Sequence, residues 1–377
     1  MSEIRVDSIG NESNTGGPVL SGITTFSGQQ YFIPPKGTTA ERPSDCPPGS
    51  IRFNTDTAHL EYWNGLVWLE FEASSEELGD QNNSNSTGGT GHRAVFCGGR
   101  NSPVSSPGAL DVIDYFTVST LGNAQDFGNL QSATTSTGTC ASDTRGLSGG
   151  GSANTGSSER NTIDFITIAS TGNAADFGDL TQKRGDIPGC CSSKTRGLWA
   201  NGYDPSSSIN TIDYVTIAST GDAVDFGDTT FTGSYCAGTS SPVRGIFIKT
   251  SDCDYITIST LGNALDFGDL TSSHSRGGAG GSATRGLFGG GTPALNNITF
   301  ITIATTGSAQ DFGDLTVARR SVGGTSNSVR CLFAGANVSD TTTDFVTIAT
   351  TGNALDFGDL TVGRARTNGL CNGHGGL

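Results

Sequence analysis

Residues 162–180 read TIDFITIASTGNAADFGDL, and this phrase occurs in recognisable form six times along the chain. Its Asp-Phe-Gly core recurs at six phenylalanines spaced 41 to 50 residues apart: Phe127, Phe177, Phe226, Phe267, Phe312 and Phe357. A period of that length fits one supersecondary unit that cannot bury its apolar face alone. The chain from about residue 92 onward is therefore predicted to be a repeat array.

Each repeat contains signals for four short strands, which we call a, b, c and d. Strand b opens at an arginine followed by apolar residues and glycines, as in residues 145–151, and strand c is the β-branched and aromatic run, as in residues 162–169. A Thr-Gly-Asn-Ala turn, whose Gly and Asn are expected to supply positive φ, leads into strand d at Asp-Phe-Gly-Asp-Leu. The Gly-, Ser- and Cys-rich stretch before the next arginine is long enough for strand a.

The spacings within the repeat show where its length varies. The aromatic residue of strand c precedes the Phe of strand d by 12 residues in all six repeats, whereas the step from the opening arginine to that aromatic ranges from 11 to 22 residues. Insertions are therefore expected in the b–c loops. The first repeat lacks a strand a, and the segment from Arg366 to Gly376 is predicted to supply it, which would leave no open sheet edge.

Four strands in each of six repeats predict an all-β chain, in which residues 92–377 form a six-bladed β-propeller. This organisation resembles the kelch family of propellers, which has an arginine before its first strands, glycines that end strand b, and aromatic residues in strands c and d. Phe stands where kelch repeats usually have Trp, and the repeats that open at Arg196 and Arg244 lack the paired glycines. A β-solenoid or an open array is the alternative fold.

Residues 1–71 do not repeat and are predicted to form a small β-rich module. They contain PKGTTAERP (residues 35–43), GSIRFNTDT (49–57) and LEYWNGLVW (60–68), and the last two runs are typical of a hairpin, with a further turn at Asn64-Gly65. Residues 72–91 are polar and rich in Gly and Ser, and this composition predicts a flexible linker.

The phrases of residues 35–68, together with TIASTGNAxDFGDLT in the repeats, resemble tail-fibre and other virion structural proteins of tailed bacteriophages, especially phages of cyanobacteria and other marine bacteria. The resemblance implies a tail or baseplate protein of the virion, made in the host cytoplasm. It also implies that residues 1–71 attach to other tail or baseplate proteins and form a homo-oligomer, a trimer. The alternative for this module is an ordinary β module of a bacterial surface protein.

The charge balance limits the partners of the chain. With 21 basic and 36 acidic residues the net charge is −15, which disfavours nucleic acid and anionic membranes as partners. Neither a signal-peptide core in residues 1–20 nor an apolar run of membrane-spanning length is present in the sequence, so membrane insertion is not expected.

The sequence contains no motif that predicts catalysis, and we expect no enzymatic activity, no cofactor and no metal site. The nine cysteines lack metal-site spacing and are expected to be small buried thiols on an inner strand, with a metal or disulfide ring as the alternative. The Asp pairs of Asp-Phe-Gly-Asp are expected to cap turns, with calcium binding as the alternative. The four histidines fall outside any nucleophile or HExxH context.

The b–c loops are the expected binding surface, because in this strand order they lie together at one end of the array and vary in length. Their hydroxyl and amide side chains suit a host cell-surface glycan or protein. The candidate binding residues are Asn101, Ser106, Asn154, Arg160, Tyr203, Asp204, Asn296 and Asn337. The alternatives are that these loops are solvated linkers, and that the chain is an assembly or decoration protein without receptor binding.

Overall fold

The computed structural model describes residues 34–57, 59–70, 92–101, 108–153, 158–186, 188–336 and 340–377. The chain divides into two compact units, Met1–Asp80 and Gln81–Leu377, and the linker predicted at residues 72–91 lies outside the described residues. The described residues form strands and one short 3-10 helix, Thr39–Glu41, which confirms the all-β prediction. No helix among them has the length and apolar character needed to cross a membrane.

The first unit contains a four-stranded sheet, which we call the N-terminal sheet. Its strands are β1 (Lys36–Gly37), β2 (Ile51–Asn54), β3 (His59–Trp63) and β4 (Trp68–Glu70), in that order across the sheet. The β1–β2 pair is parallel and the other two pairs are antiparallel. The predicted hairpin and the turn that follows it are confirmed.

The N-terminal sheet buries polar groups on one face and exposes apolar groups on the other. Glu61 is fully buried and accepts hydrogen bonds from Arg42 and Asn54, while Arg52 lies 3.5 Å away. Burial acts to raise the pKa of Glu61, but the bonds from Arg42 and Asn54 outweigh it and hold the pKa below its ordinary value. On the opposite face, three apolar side chains are 51%, 41% and 39% exposed: Ile51, Leu60 and Leu69.

The described residues of the second unit form twenty-four strands. In chain order they are β5 (Arg93–Cys97), β6 (Val112–Thr117), β7 (Gln125–Asn129), β8 (Gly138–Ala141), β9 (Arg145–Gly149), β10 (Thr162–Thr167), β11 (Ala175–Asp179), β12 (Gly189–Ser192), β13 (Arg196–Ala200), β14 (Thr211–Thr216), β15 (Val224–Asp228), β16 (Ala237–Ser240), β17 (Arg244–Lys249), β18 (Asp252–Thr257), β19 (Leu265–Asp269), β20 (Gly278–Gly281), β21 (Arg285–Gly289), β22 (Leu295–Thr302), β23 (Gln310–Arg319), β24 (Gly323–Ser326), β25 (Arg330–Ala334), β26 (Thr342–Thr347), β27 (Leu355–Asp359) and β28 (Asn368–Cys371).

These strands form six antiparallel four-stranded sheets with the predicted order a, b, c, d. Sheet 1 is β28-β5-β6-β7, sheet 2 is β8-β9-β10-β11, sheet 3 is β12-β13-β14-β15, sheet 4 is β16-β17-β18-β19, sheet 5 is β20-β21-β22-β23, and sheet 6 is β24-β25-β26-β27. As predicted, the segment after residue 366 supplies the first strand of sheet 1, because β28 pairs with β5. Each first strand contacts the first strand of the next sheet, and β28 contacts both β24 and β8.

Six apolar clusters lie between consecutive sheets and form the core of the unit. In the cluster between sheets 1 and 2, for example, Ile113 packs with Ile166. The sixth cluster joins sheet 6 to sheet 1, where the rings of Phe357 and Phe116 meet edge to face at 5.4 Å between centroids. Since the apolar area is divided among six seams between sheets, each sheet depends on both of its neighbours for burial.

The Asp-Phe-Gly phrase forms a β-bulge at the same place in all six sheets. In sheet 2, Asp164 pairs with Asp176 and Ile163 pairs with Gly178, so that Phe177 is the extra residue of strand d. The register shift recurs in the other five sheets. The bulge turns each Phe ring into the core, edge-on to the aromatic ring of strand c at 5.6–6.1 Å.

The Thr-Gly-Asn-Ala turn of one sheet bonds to the bulged strand of the preceding sheet. Gly172 N donates to Phe127 O at 2.7 Å, and Ala174 N donates to Asn129 O at 2.8 Å. Asn129 N in turn donates to the side-chain oxygen of Asn173 at 3.0 Å. The same two backbone bonds occur at every seam, including the one from the turn of sheet 1 to the bulged strand of sheet 6. The two most repeated phrases of the sequence are therefore the two halves of one contact between sheets.

Two predictions about this contact are wrong. The Asn of the turn does not adopt positive φ; the glycine before it does so in five of the six turns, as at Gly221 with φ 152°. The Asp pairs are not the recurrent turn caps, although Asp266 accepts a bond from Gly268 N at 3.2 Å. The recurrent cap is instead the Asn or Asp side chain of the turn. Its oxygen accepts a hydrogen bond from the backbone N–H of the residue that follows the bulge glycine in the preceding sheet.

The opening arginine of each strand b links its own sheet to the next one. Arg93 lies with its guanidinium carbon 4.6 Å from the ring centroid of Tyr115 and donates to Ile168 O of sheet 2 at 2.8 Å. All six arginines repeat this arrangement at 4.6–5.0 Å from the ring. In sheet 6, Arg330 donates to Val118 O of sheet 1 at 2.9 Å.

Buried ion pairs cross three of the six seams. An arginine seven residues after the Phe of strand d reaches the Asp of strand c in the next sheet, and the ions are almost completely excluded from solvent. The pairs are Arg184–Asp213, Arg319–Asp344 and Arg364–Asp114. Such pairs help to align neighbouring sheets more than they add net stability, because the cost of removing both ions from water offsets most of their attraction.

The other three seams lack this arginine, and one of them also lacks the Asp. At the seam of sheets 4 and 5, His274 lies where the arginine would be, and its Nε2 accepts a hydrogen bond from Thr299 Oγ1 at 2.9 Å while Nδ1–H donates to Gly290 O at 2.7 Å. Asp164 and Asp254 have no arginine, and burial raises the pKa of both carboxyls. The Asp of strand c is therefore kept without an ion pair at two seams, where it accepts hydrogen bonds from Gln131 or Thr230.

The buried histidine predicts a pH dependence of stability. Burial lowers the pKa of His274, so its neutral form is favoured in the folded chain. The pKa of this base in the folded chain lies below its unfolded value of about 6.5. Its contribution to the free energy of unfolding is therefore complete above that pH, and it is lost by about 1.4 kcal/mol per pH unit as the pH falls below it. We expect the midpoint of thermal unfolding to fall between pH 7 and pH 5, and His274→Gln to reduce that slope. A variant with the full slope of the parent would contradict this assignment.

Eight of the nine cysteines are small buried thiols, as predicted, whereas Cys46 is half-buried. Cys140, Cys190, Cys191 and Cys371 lie in first strands, Cys236 immediately precedes one, and none of the nine forms a disulfide. Burial raises the pKa of the Cys140 thiol well above its ordinary value, which keeps it protonated. The sulfur fills space beside a glycine of the next sheet: a Cβ on Gly197 would lie 2.6 Å from Cys140 Sγ.

Candidate functional site

The b–c connections of the sheets meet the segments that lead into the first strands. Isolated backbone bridges join Arg100 to Ala365, Ser152 to Thr135, and Tyr203 to Gly185. Because b–c connections and d–a segments lie at the same end of an antiparallel sheet, these bridges gather the length-variable loops around one end of the second unit. The sequence-predicted binding loops belong to that end.

Six residues with left-handed backbone, which we call the rim, stand at this end. Each lies nine residues after the Phe of strand d and shortly before a first strand, with φ between 56° and 64°: Ser136, Asp186, Tyr235, Arg276, Ser321 and Arg366. Positive φ is costly for residues other than glycine, at about 1–3 kcal/mol each, and such strain is concentrated at functional sites.

Backbone hydrogen bonds run from one rim residue to the next and hold this conformation. Tyr235 N donates to Asp186 O at 2.6 Å, Arg276 N to Tyr235 O at 3.3 Å, and the series continues through Ser321 to Arg366. It then passes to the rim residue of sheet 2, whose N–H donates to Arg366 O at 3.1 Å. The rim is thus a backbone frame that fixes where its six side chains begin.

Three arginines and a tyrosine meet at the rim, and we call them the arginine cluster. The guanidinium carbon of Arg276 lies 3.8 Å from the ring centroid of Tyr235, and that of Arg366 lies 5.4 Å from the same centroid. Arg100 is 8% exposed; burial lowers its pKa, and the charges of Arg366 and Arg276 lower it further. Asp186 lies 3.4 Å from Arg366 Nη1, and both side chains are partly exposed. The cluster therefore holds two positive charges over one aromatic ring and a third on Arg100, whose backbone pairs with Ala365 next to Arg366.

Buried polar atoms without partners accompany the rim. Three consecutive hydroxyls before β8 have no hydrogen-bond partner among the described residues, and all are at least nine-tenths buried: Thr135 Oγ1, Ser136 Oγ and Thr137 Oγ1. Glu159 packs against Gly185, and its Oε2 is likewise buried without a partner. Hydroxyl groups of this kind are normally satisfied by water or by a ligand.

The space between the first strands is narrow. A cavity of about 60 Å³ is lined by the first strands of the six sheets, by several of their cysteines and by His374. Small-molecule sites usually measure about 300–1,000 Å³, and one water needs only a small part of the volume found here. The cavity can hold water, but it is too small for a ligand of sugar size.

The opposite end of this cavity is covered by residues 372–377. His374 Nε2 donates to Ala141 O at 2.9 Å and lies 3.0 Å from Ser192 Oγ, while Gly376 N donates to His374 Nδ1 at 3.0 Å. Burial lowers the pKa of His374, which favours the neutral form with the proton on Nε2. Residues 372–377 therefore close this end of the cavity. At the rim, Asp186, Tyr235, Arg276 and Arg366 are partly exposed to solvent.

The structure separates the sequence-predicted binding residues. Asn101 is exposed next to Arg100, and Arg160 is half-buried with its guanidinium 3.4 Å from Ala133 O. Tyr203 is half-buried rather than exposed, since its backbone pairs with Gly185 and Ser208. No hydrogen bond or ion pair joins any two of the five candidates that the structure describes, and Ser106, Asn154 and Asn337 lie outside the described residues.

Two further candidates have a local role. The Asp204 carboxylate accepts hydrogen bonds from Ser206 N at 2.6 Å and Ser207 N at 2.7 Å, and these bonds lower its pKa. Asp204 is therefore a turn cap. Asn296 is exposed but lies in β22, which begins at Leu295 and so shortens the loop predicted at residues 293–297.

Sequence reasoning missed the arginine cluster. Arg276, Arg366 and Tyr235 lie in the d–a segments, whose lengths differ by at most one residue and so do not mark them as variable loops. A signal was present in the alignment of the repeats: the position nine residues after each Phe carries polar or charged residues in all six repeats, with two arginines among them. No protein-family model matches this chain, and no curated protein matches it.

Proposed function

We propose that the second unit is a closed, six-bladed, kelch-like β-propeller and that the six sheets are its blades. Three contacts between sheet 6 and sheet 1 support closure: the apolar cluster with Phe116 and Phe357, the bond from Arg330 to Val118 O, and the turn-to-bulge contact. Within sheet 1, the pairing of β28 with β5 joins the last strand of the chain to the first strand of the unit. A closed ring leaves no blade with an unburied apolar face.

We propose further that the chain is a structural protein of a phage virion, in the tail or baseplate, that presents the rim to the host surface. The observation that carries this proposal is that the length-variable loops gather at one end of an array whose seams repeat the same contacts. A rigid scaffold with polar variable loops at one end suits surface recognition. The role is one of binding and not of catalysis, and its partner is a glycan or a protein of the host cell surface.

The N-terminal unit is proposed to attach the chain to other tail or baseplate proteins as a trimer. The resemblance of residues 35–68 to phage virion proteins supports this, and so does the exposed apolar face of the N-terminal sheet at Ile51, Leu60 and Leu69. Apolar side chains grouped on one exposed sheet face commonly mark a contact surface.

A cell-binding experiment tests the attachment role. Labelled full-length chain is expected to bind some strains of a panel of cyanobacteria and other marine bacteria saturably, and to slow the adsorption of phages to those strains. Cross-linked multimers of the chain serve to restore avidity if single copies bind weakly. If multimers bind no strain, or bind without slowing any adsorption, the attachment role is wrong.

A second candidate function is an assembly or decoration element of the virion. The first residue of strand d is apolar and more than half exposed in three sheets: Val224, Leu265 and Leu355. Such residues along the outer strands fit packing against neighbouring virion proteins. In intact particles, an attachment protein should leave the rim accessible to antibody. An assembly element should instead have its outer strands buried against neighbouring virion proteins.

A further inference from the structure

The charge at the rim is opposite to that of the chain as a whole. The chain carries a net charge of −15, yet Arg276 and Arg366 lie over one tyrosine ring, and Arg100 pairs through its backbone with Ala365, next to Arg366. Asp186 pairs with Arg366 at 3.4 Å, a loose contact, while Arg100 is nearly buried and feels the repulsion of the two other arginines. Like charges held together in this way destabilise the fold, and an anion placed among them would relieve that repulsion.

The cluster is held in place before any ligand arrives. The rim backbone is fixed by its series of hydrogen bonds, and stacking on Tyr235 restricts the guanidinium planes of Arg276 and Arg366. Planar guanidinium groups of fixed orientation donate paired hydrogen bonds to a carboxylate or a sulfate far better than an ammonium group does. Little conformational entropy would be lost when such an anion binds.

The surroundings limit the kind of molecule that carries the anion. The unpartnered hydroxyl of Ser136 belongs to the rim residue whose N–H bonds Arg366 O, and the exposed amide of Asn101 follows Arg100. The cavity below the rim, at about 60 Å³, is too small for a sugar ring or an apolar side chain. Arginine clusters also recognise acidic peptide motifs, so an acidic peptide is the competing ligand that has to be separated from a sugar by experiment.

We propose that the arginine cluster binds the oxyanion of an acidic sugar, either a carboxylate or a sulfate ester, with the sugar ring lying outside the cavity on the rim. Arg276 and Arg366 donate to the oxyanion, Arg100 adds a third positive charge beside Arg366, and the exposed amide of Asn101 is available to the sugar hydroxyls. This inference rests on the proposed attachment function, because it names the chemical class of the surface ligand.

Isothermal titration of the full-length chain with defined oligosaccharides tests the inference. The probes are a uronic-acid oligosaccharide, a sulfated oligosaccharide without carboxylates, a neutral oligosaccharide of equal length, and an acidic peptide. We expect one of the two acidic saccharides to bind, and the one that binds identifies the source of the oxyanion. The neutral saccharide should bind at least tenfold more weakly, and added salt should weaken binding of the acidic one.

Matched variants locate the site. Arg276→Gln and Arg366→Gln should each weaken binding about tenfold or more, as expected for loss of a hydrogen bond to a charged group. Arg276→Lys keeps the charge but loses the stacked plane, and it should also weaken binding. The control Lys194→Gln removes the same charge from an exposed side chain in the turn between β12 and β13, and it should change the affinity less than twofold. Unchanged thermal unfolding shows that each variant is folded.

The outcomes separate this inference from the attachment function. If cells are bound but no acidic saccharide is, or if the arginine variants bind like Lys194→Gln, the inference is wrong and the attachment function stands. If an acidic saccharide binds through the arginines but no cell is bound, the inference stands and the attachment function fails. Arginine-dependent binding of the acidic peptide alone would replace the sugar with a protein ligand and overturn the inference.

Discussion

Replacing Gly128 with alanine is expected to lower the free energy of unfolding of the second unit by about 2–5 kcal/mol. Gly128 is the glycine of the Asp-Phe-Gly bulge in sheet 1, with φ 145°, and an added Cβ would lie 2.4 Å from Gly172 O and 2.6 Å from Gly172 C. The neighbour is backbone that is itself hydrogen-bonded across the seam, so it cannot yield without breaking the turn-to-bulge contact. The strain of the left-handed backbone and the steric overlap therefore add.

The matched control is the facing residue. An added Cβ on Gly172 would meet nothing within 4 Å, so Gly172→Ala is expected to change the free energy of unfolding by less than about 1 kcal/mol. Calorimetry of the full chain measures both variants, and at roughly 2 °C per kcal/mol the midpoint for Gly128→Ala should fall by about 4–10 °C. Equal effects of the two substitutions would contradict the geometry of this contact.

Replacing Arg364 with methionine is expected to cost about 3–5 kcal/mol, because it leaves the buried carboxylate of Asp114 without its cation. Arg364 Nη1 lies 2.9 Å from Asp114 Oδ2, both side chains are fully buried, and Nη2 donates to Phe96 O at 3.2 Å. The pair also crosses the seam between sheet 6 and sheet 1. Its loss should therefore loosen β28 and β5, which hydrogen exchange of their amides would detect.

The chain itself supplies the rescue variant. At the seam of sheets 4 and 5, His274 and Thr299 occupy these two positions and hydrogen-bond to each other at 2.9 Å. The double variant Arg364→His with Asp114→Thr copies that pair and is expected to recover more than half of the stability lost in Arg364→Met. If the double variant is as unstable as Arg364→Met, the two seams are not equivalent and the interpretation of the pair is wrong.

The candidate site was only partly predictable from the sequence. The b–c loops could be placed at one end, because strand order decides which connections share an end. The arginine cluster could not be predicted in the same way, since Arg100 and Arg366 are 266 positions apart and meet only where β28 completes sheet 1. Charged residues in segments of nearly constant length look like ordinary solvated positions until the backbone brings them together.

The sequence by itself determined the number of repeats, the four strands of each one and the assignment of β28 to sheet 1. The physical reason is that apolar and β-branched residues alternate with turn residues at spacings that recur throughout the array, and such local patterns need no partner to be recognised. Only the tertiary structure determined what the residues of the repeated phrases contact. Gly128, Asn173 and Arg93 each act on the neighbouring sheet, and a contact between sheets leaves no trace in the pattern of a single one. The same holds for the rim, whose left-handed residues and clustered arginines exist only because six segments bond to one another in series.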